Sequence, residues 1–256
     1  ADGTFILTAE KDGIHAENAD DEEKGYIYIA DGDFTITSDG DGMDASNIVQ
    51  IEDGTFDITA GGGAANSQKT HESDMPGEPG GGMPQNGRKP DGEDMPEMGE
   101  KPDGENMPQD TTTDESGTST KGIKAGGGMY LNGGTYQIDS ADDSIHSNAN
   151  ITIADGTYTL ATGDDGVHAD DALTVNGGMI TVTESYEGLE GLTVTINDGT
   201  IDITARDDGI NTAGGTDQSG FGTFGDHFKG MYSADDETEE TTDNEMWMEL
   251  NGGYIH

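Results

Sequence analysis

Asp142-Asp143-Ser144-Ile145-His146, Asp164-Asp165-Gly166-Val167-His168, Tyr186-Glu187-Gly188-Leu189-Glu190 and Asp207-Asp208-Gly209-Ile210-Asn211 are four versions of one motif. Their first residues, 142, 164, 186 and 207, stand 22, 22 and 21 positions apart. A repeat of that length is the mark of a solenoid, in which each repeat stacks on its neighbours. Around the motif, every repeat has the same parts. A Gly-containing corner comes first, as in Asp53-Gly54, Gly133-Gly134, Asp155-Gly156 and Asp198-Gly199. Glycine there suits a tight bend, and a preceding Asp favours a turn. An alternating segment follows, with apolar residues in two columns: Phe5, Phe34, Phe56, Tyr136, Tyr158, Ile180 and Ile201, then Leu7, Ile36, Ile58, Ile138, Leu160, Val182 and Ile203. Period-two alternation of β-branched and aromatic residues signals strands. After the acidic motif, a further short strand closes the repeat, as in Ile151-Thr152-Ile153 and Leu173-Thr174-Val175. No stretch keeps helical spacing. The expected fold is all-β: a parallel β-helix with two or three short strands per turn of about 22 residues, right-handed by the general bias of parallel crossovers.

We read residues 1–256 as a single domain with two long loop insertions. The first, 64–120, holds all seven prolines of the chain, four of them in the pairs Met75-Pro76, Met83-Pro84, Met95-Pro96 and Met107-Pro108. Its composition cannot bury a core, so disorder or a loosely held loop is expected. The second, 214–245, is acidic but carries Phe221, Phe224, Phe228 and Tyr232, and is expected to fold back on the coil.

Lys plus Arg is 10 against 54 Asp plus Glu, giving a net charge of −44. That charge excludes nucleic acid and anionic membrane as simple electrostatic partners. Cysteine is absent, which removes disulfides and thiolate metal sites. No run reaches transmembrane length and no signal peptide opens the sequence, so membrane insertion is not expected. Repeat motifs stand at both ends (Ala1-Asp2-Gly3 and Asn251-Gly252-Gly253), and we expect an excised or processed piece of a longer protein.

Stacked repeats turn the motif into three side-chain columns. The first holds Asp142, Asp164, Tyr186 and Asp207; the second Asp12, Asp41, Lys121, Asp143, Asp165, Glu187 and Asp208; the third His15, Asp44, Lys124, His146, His168, Glu190 and Asn211. Neighbouring strands lie about 4.8 Å apart, where two unit charges repel by roughly 3–4 kcal/mol at an effective dielectric of 20. Protons or cations must offset this. Oxygen donors at flexible spacing suit Ca²⁺, so Asp142, Asp143, Asp164, Asp165, Glu187, Glu190, Asp207 and Asp208 are the expected metal ligands. The plainer alternative is that these carboxylates are solvated turn formers. His146 and His168 are read as a surface stack bonding the acidic corner or a ligand, with a zinc pair less economical in the absence of Cys. Lys124 neutralises its column on the plain reading, because neighbouring carboxylates favour a charged lysine. A general base removing the proton α to a uronate carboxylate is the catalytic alternative.

Lys121-Gly122-Ile123-Lys124-Ala125 and the four motifs quoted above together resemble the secreted carbohydrate-binding β-helix family related to polysaccharide lyases. The likeness covers about Thr120 to Gly215; earlier, Asp12-Gly13-Ile14-His15 and Asp41-Gly42-Met43-Asp44 fit, whereas Gly61-Gly62-Gly63 replaces the acidic pair. The resemblance implies bound calcium and recognition of plant cell-wall polysaccharide, cellulose or pectin, outside a bacterial cell. It also implies kinship with calcium-dependent pectate lyases, whose base is a lysine or arginine. The leading expectation is therefore non-catalytic binding of polysaccharide, acidic glycans being bridged by calcium. Lys124, His146, His168 and Tyr186 are the expected glycan contacts, although aromatic residues for stacking are few and Trp247 is the sole tryptophan. A pectate lyase using Lys124, with Lys121 and Arg206 next in line, is the first alternative. A surface stalk or adhesin is the second.

Overall fold

A computed structural model describes residues 3–18, 24–69, 119–213 and 246–256. The chain is all-β, with two parallel sheets and a short 3₁₀ turn at Ala64–Asn66. The insertion expected at 214–245 lies outside the described residues, as does most of that at 64–120; Ala64 to Lys69 and Ser119 to Thr120 are described.

The first sheet stacks Thr4–Ala9, Asp33–Ser38, Thr55–Ala60, Thr135–Ser140, Thr157–Thr162, Met179–Glu184, Thr200–Ile203 and Tyr254–Ile255 in that order. Each successive pass of the chain thus adds one strand. Ile123–Ala125, Ile145–Ser147 and the start of Val167–Val175 do the same in the second sheet, beside a parallel row of closing strands that includes Ile48–Ile51, Met129–Leu131 and Ile151–Ile153. In early repeats the corner and closing strands are separate. From Val167 they fuse: Val167–Val175 and Leu189–Ile196 each run through both rows. Earlier repeats break the strand at Gly126-Gly127-Gly128 or Asn148-Ala149-Asn150, whereas Val167–Val175 continues from Ala169 to Ala172 with only a shift of register.

The core lies between the sheets. Phe34 pairs with Phe56, Phe56 with Tyr136 and Tyr136 with Tyr158. With Phe5 these rings form one stack, centroids 4.6 to 5.0 Å apart and planes within 9°. Burial of such rings dominates core energetics provided that their polar ends are satisfied. They are: Tyr136 and Tyr158 donate their hydroxyls to the carbonyls of Gly133 and Asp155, each at 2.8 Å. The glycine of the acidic motif is a packing requirement. A Cβ on Gly166 would come within 2.5 Å of the Gly188 carbonyl in the next pass. Ser144 is the one larger residue at this position, fully buried with its Oγ 3.2 Å from that of Ser140.

Candidate functional site: an acidic ladder with its own cations

The corner strands bring the three columns into register. His15 pairs with Asp44, Asp44 with Lys124, Lys124 with His146, His146 with His168, His168 with Glu190, and Glu190 with Asn211. Sequence period alone located this row.

The middle column divides its two carboxylate oxygens between two tasks. One oxygen accepts the backbone N–H of the next pass: Asp12 Oδ1 from Asp41 (2.9 Å), Asp41 Oδ1 from Lys121 (2.7 Å), Asp143 Oδ1 from Asp165 (3.1 Å) and Asp165 Oδ1 from Glu187 (3.1 Å). The other turns to a cation. Asp143 Oδ2 lies 2.8 Å from Lys121 Nζ and 2.9 Å from His146 Nδ1, and Asp165 Oδ2 lies 3.2 Å from His168 Nδ1. The turn-forming role and the cation-binding role therefore belong to different atoms of the same side chain.

Two lysines penetrate the carboxylates. Lys121 Nζ also reaches Asp142 Oδ2 at 3.0 Å. Lys69 Nζ bridges Asp142 Oδ1 (2.9 Å) and Asp164 Oδ2 (2.6 Å). Lys69 was not among the residues expected here, because it lies in the proline-rich insertion and outside the repeat. Gly61-Gly62-Gly63 delivers it. All three have φ between 61° and 84°, a left-handed path that only glycine follows without strain, and it carries the chain out of the repeat. Asp139 Oδ1 then accepts the Ala64 N–H at 2.7 Å, and Asn66 Nδ2 donates to the Gly61 carbonyl at 2.7 Å.

Burial makes this ladder electrostatically tense. Asp143 is fully buried, which by itself disfavours its ionised form; Lys121, then His146 and His168, outweigh that and hold it well below the ordinary carboxylate range. Asp164 goes the other way. Burial, then repulsion from Asp143 and Asp165, raises it to about 8 despite Lys69. Burial also lifts Glu190 to about 9, with His168 opposing and Asp165 and Glu187 adding repulsion. Glu187 is raised too, chiefly by burial. For His168 burial favours the neutral ring, but hydrogen bonds to Asp165 and Asp170 and the charges of Asp143 and Glu190 prevail, raising it to about 11. Lys69 and Lys121, the imidazolium of His168 and protons on Asp164 and Glu190 together offset the repulsion expected of the stack.

His146 and His168 are not a surface stack. They are 3% and 5% exposed, closed in by their neighbours in register and by Asn148 and Asp170, so they serve the ladder from inside. Lys124 is partly exposed, its Nζ 3.5 Å from Asp44 and 3.7 Å from Asp41. Tyr186 is half-buried at the corner, its N–H bonded to the Asp164 carbonyl at 2.6 Å.

Every carboxylate expected to bind metal falls in a compact group whose donor atoms lie within 4.8 Å of one another: Asp142 with Asp143 and Asp164; Asp165 with His168 and Glu190; Glu187 with Asp207 and Asp208. Asp143 also groups with His146 and His168, and Asp12 with His15 and Asp44. Their fitness for a hard cation differs. Asp142, Asp143 and Asp164 offer only oxygen, but Lys69 and Lys121 already lie among them. Two other groups mix carboxylate with buried imidazole. Glu187, Asp207 and Asp208 offer oxygen alone, and the last two are exposed.

A family model described as carbohydrate-binding domain-containing protein matches residues 1–166 and 164–236. No curated protein and no solved structure matches the chain.

Proposed function

We propose, from the premise that this chain belongs to the carbohydrate-binding domain-containing family, that it is a non-catalytic polysaccharide-binding protein built as one right-handed parallel β-helix domain. The observation that carries the reading is the in-register acidic ladder within a chain of that family. Its place of action is the outside of a bacterial cell, and its ligand is a plant cell-wall polysaccharide, cellulose or pectin. Calcium is assigned first to Glu187, Asp207 and Asp208, whose oxygen-only donors and exposed members suit a large, flexibly coordinated cation with positions left for a ligand. Such a cation would give a uronate carboxylate a contact that a chain of net charge −44 otherwise repels. The remaining carboxylates, Asp142, Asp143, Asp164, Asp165 and Glu190, are second-choice ligands that must first give up lysine, imidazole or proton. Glu187 has to release an amide instead, that of Asn211, which both its oxygens accept at 3.0 and 2.9 Å, and its tendency to protonate is countered by the cation. Lys124 and Tyr186 are the less enclosed contacts along this edge; His146 and His168 hold its charge balance.

Lys124 is given no chemical step. Its ammonium is directed at Asp44 and Asp41, an arrangement suited to charge compensation. The test is retention on insoluble polygalacturonate and cellulose, with calcium and with chelator, for the intact protein and for Glu187→Gln/Asp208→Asn. Calcium-dependent retention on polygalacturonate that the double variant weakens is expected. A calcium-dependent rise in ultraviolet absorbance of polygalacturonate would make the protein a lyase instead. Calcium-dependent melting without retention on any glycan would make it a stalk.

A further inference from the structure

The closing strands of the second sheet present a face that the acidic ladder does not use. Their residues alternate strictly: Ile27 and Ile29, Val49 and Ile51, Met129 and Leu131 point into the core, and Tyr26, Tyr28, Gln50 and Tyr130 point outward. Register lines up the outward residues as one column, Tyr28, Gln50, Tyr130, Thr152, Thr174 and Thr195. Tyr28 is 63% exposed, Tyr130 41%, and Tyr26, beside them on the same strand as Tyr28, 53%. Three of the eight tyrosines of the chain thus stand on one face, although an outward position on a parallel strand needs nothing larger than the threonines that follow.

From Tyr28 to Thr195 this column contains no carboxylate and no cation, in a chain of net charge −44; the exposed Glu249, paired with Thr195, ends the neutral run. Glu52, at the adjoining corner, is taken up by Gln50 Nε2 at 2.5 Å and Asn132 Nδ2 at 3.1 Å. An anionic polymer has nothing to pair with here. A neutral one does: exposed aromatic faces for the C–H faces of pyranose rings, and amide and hydroxyl groups for their edges.

We propose that the Tyr28–Gln50–Tyr130 column is a second glycan site, which takes an extended neutral β-1,4-linked glucan lying across the strands without help from metal. Spacing argues for that ligand. Tyr28 and Tyr130 are two strands apart, about 9.6 Å. One sugar of an extended β-1,4 chain advances by about one strand spacing, and each ring is turned over relative to the last. Equivalent ring faces therefore recur every second sugar, in step with Tyr28 and Tyr130, while the intervening sugar lies over Gln50. The threonine run prolongs the track with hydroxyl groups. This site rests on the carbohydrate-binding reading and divides its ligands, acidic glycans to the calcium edge and neutral glucan to the tyrosine face.

The test compares the intact protein with Tyr28→Thr/Tyr130→Thr, which extends the column's own threonine run and keeps a strand-favouring residue. Tyr254→Thr, an exposed tyrosine outside the column, is the control. Depletion isotherms on microcrystalline cellulose, with chelator present, should show the double variant weakened roughly tenfold or more, the loss expected for two aromatic contacts. Its melting transition, its calcium-dependent retention on polygalacturonate and the binding of the Tyr254 variant should not change. Tyr28→Phe/Tyr130→Phe should retain most cellulose binding. Equal cellulose binding by the intact protein and the threonine variant would overturn the site yet leave the family reading standing. Failure of the intact protein to bind any polysaccharide would overturn both. Cellulose binding that vanishes with chelator would place the glucan on the acidic edge and overturn the site as well.

Discussion

Two columns run side by side through this molecule, the ring stack from Phe5 to Tyr158, continued by Ile180 and Ile201, and the carboxylate ladder from Asp12 to Asp208. The same repetition builds both, with opposite energetic results. Stacking an aromatic ring on its copy 4.6 to 5.0 Å away buries apolar surface at every level. Stacking a carboxylate on its copy adds repulsion at every level. The ring column therefore stays apolar throughout, aromatic to Tyr158 and isoleucine after it, whereas the acidic one is broken at irregular places by Lys121, Lys124, His146 and His168, and from outside by Lys69. Repetition copies geometry; the charge balance has to be written residue by residue.

The comparison sets the order of expected effects. Phe56→Ala opens a cavity in the middle of the ring stack and should cost about 3–5 kcal/mol in chemical denaturation. Lys121→Ala strands the buried Asp143 carboxylate between Asp142 and the histidines. It should cost about 3 kcal/mol, near the lower end for a broken buried pair, since Lys69 and two imidazoles remain nearby. A loss under about 1 kcal/mol, the range of exposed pairs, would mean that the ladder is far wetter than its burial indicates. The smallest effect is a pH slope, read from melting temperature in chelator. Asp164 and Glu190 are raised to about 8 and 9 in the folded protein, so between an ordinary carboxylate pKa and those values the native state holds more protons than the unfolded one. Stability should fall as pH rises across that window. His168, raised to about 11, adds its own loss above its ordinary value of 6.5. Asp143, held low, contributes stability that disappears only in strong acid. Chelated protein should thus melt highest in mild acid and lower at pH 9. A flat profile would show that the ladder keeps both carboxyls ionised.

Much of this was legible in the sequence because it follows from period. The strict spacing by itself places Asp143 beside Asp165 and His146 beside His168. Lys69 was not legible, because it sits outside the repeat and reaches Asp142 and Asp164 by a path that only the positive φ of Gly61 to Gly63 permits. The burial of His146 and His168 depends on side chains in neighbouring passes, which a one-dimensional motif does not weigh. The outward tyrosines are written in the alternation Tyr26-Ile27-Tyr28-Ile29, but their alignment with Tyr130 depends on pairing across the 64–120 insertion, where the repeat spacing is lost.

The middle column also has a direction. The carboxylate of an earlier pass always accepts the amide of a later one: Asp12 from Asp41, Asp41 from Lys121, Asp143 from Asp165, Asp165 from Glu187. At the same four corners the backbone answers with the opposite polarity: the N–H groups of Gly13, Gly42, Ser144 and Gly166 donate to the carbonyls of Asp41, Lys121, Asp165 and Glu187 in the following pass. Each pass is thus pinned to the next by one bond in each direction, and a slip of one residue breaks both together. The acidic corner acts as an alignment key for the stack as well as a store of charge.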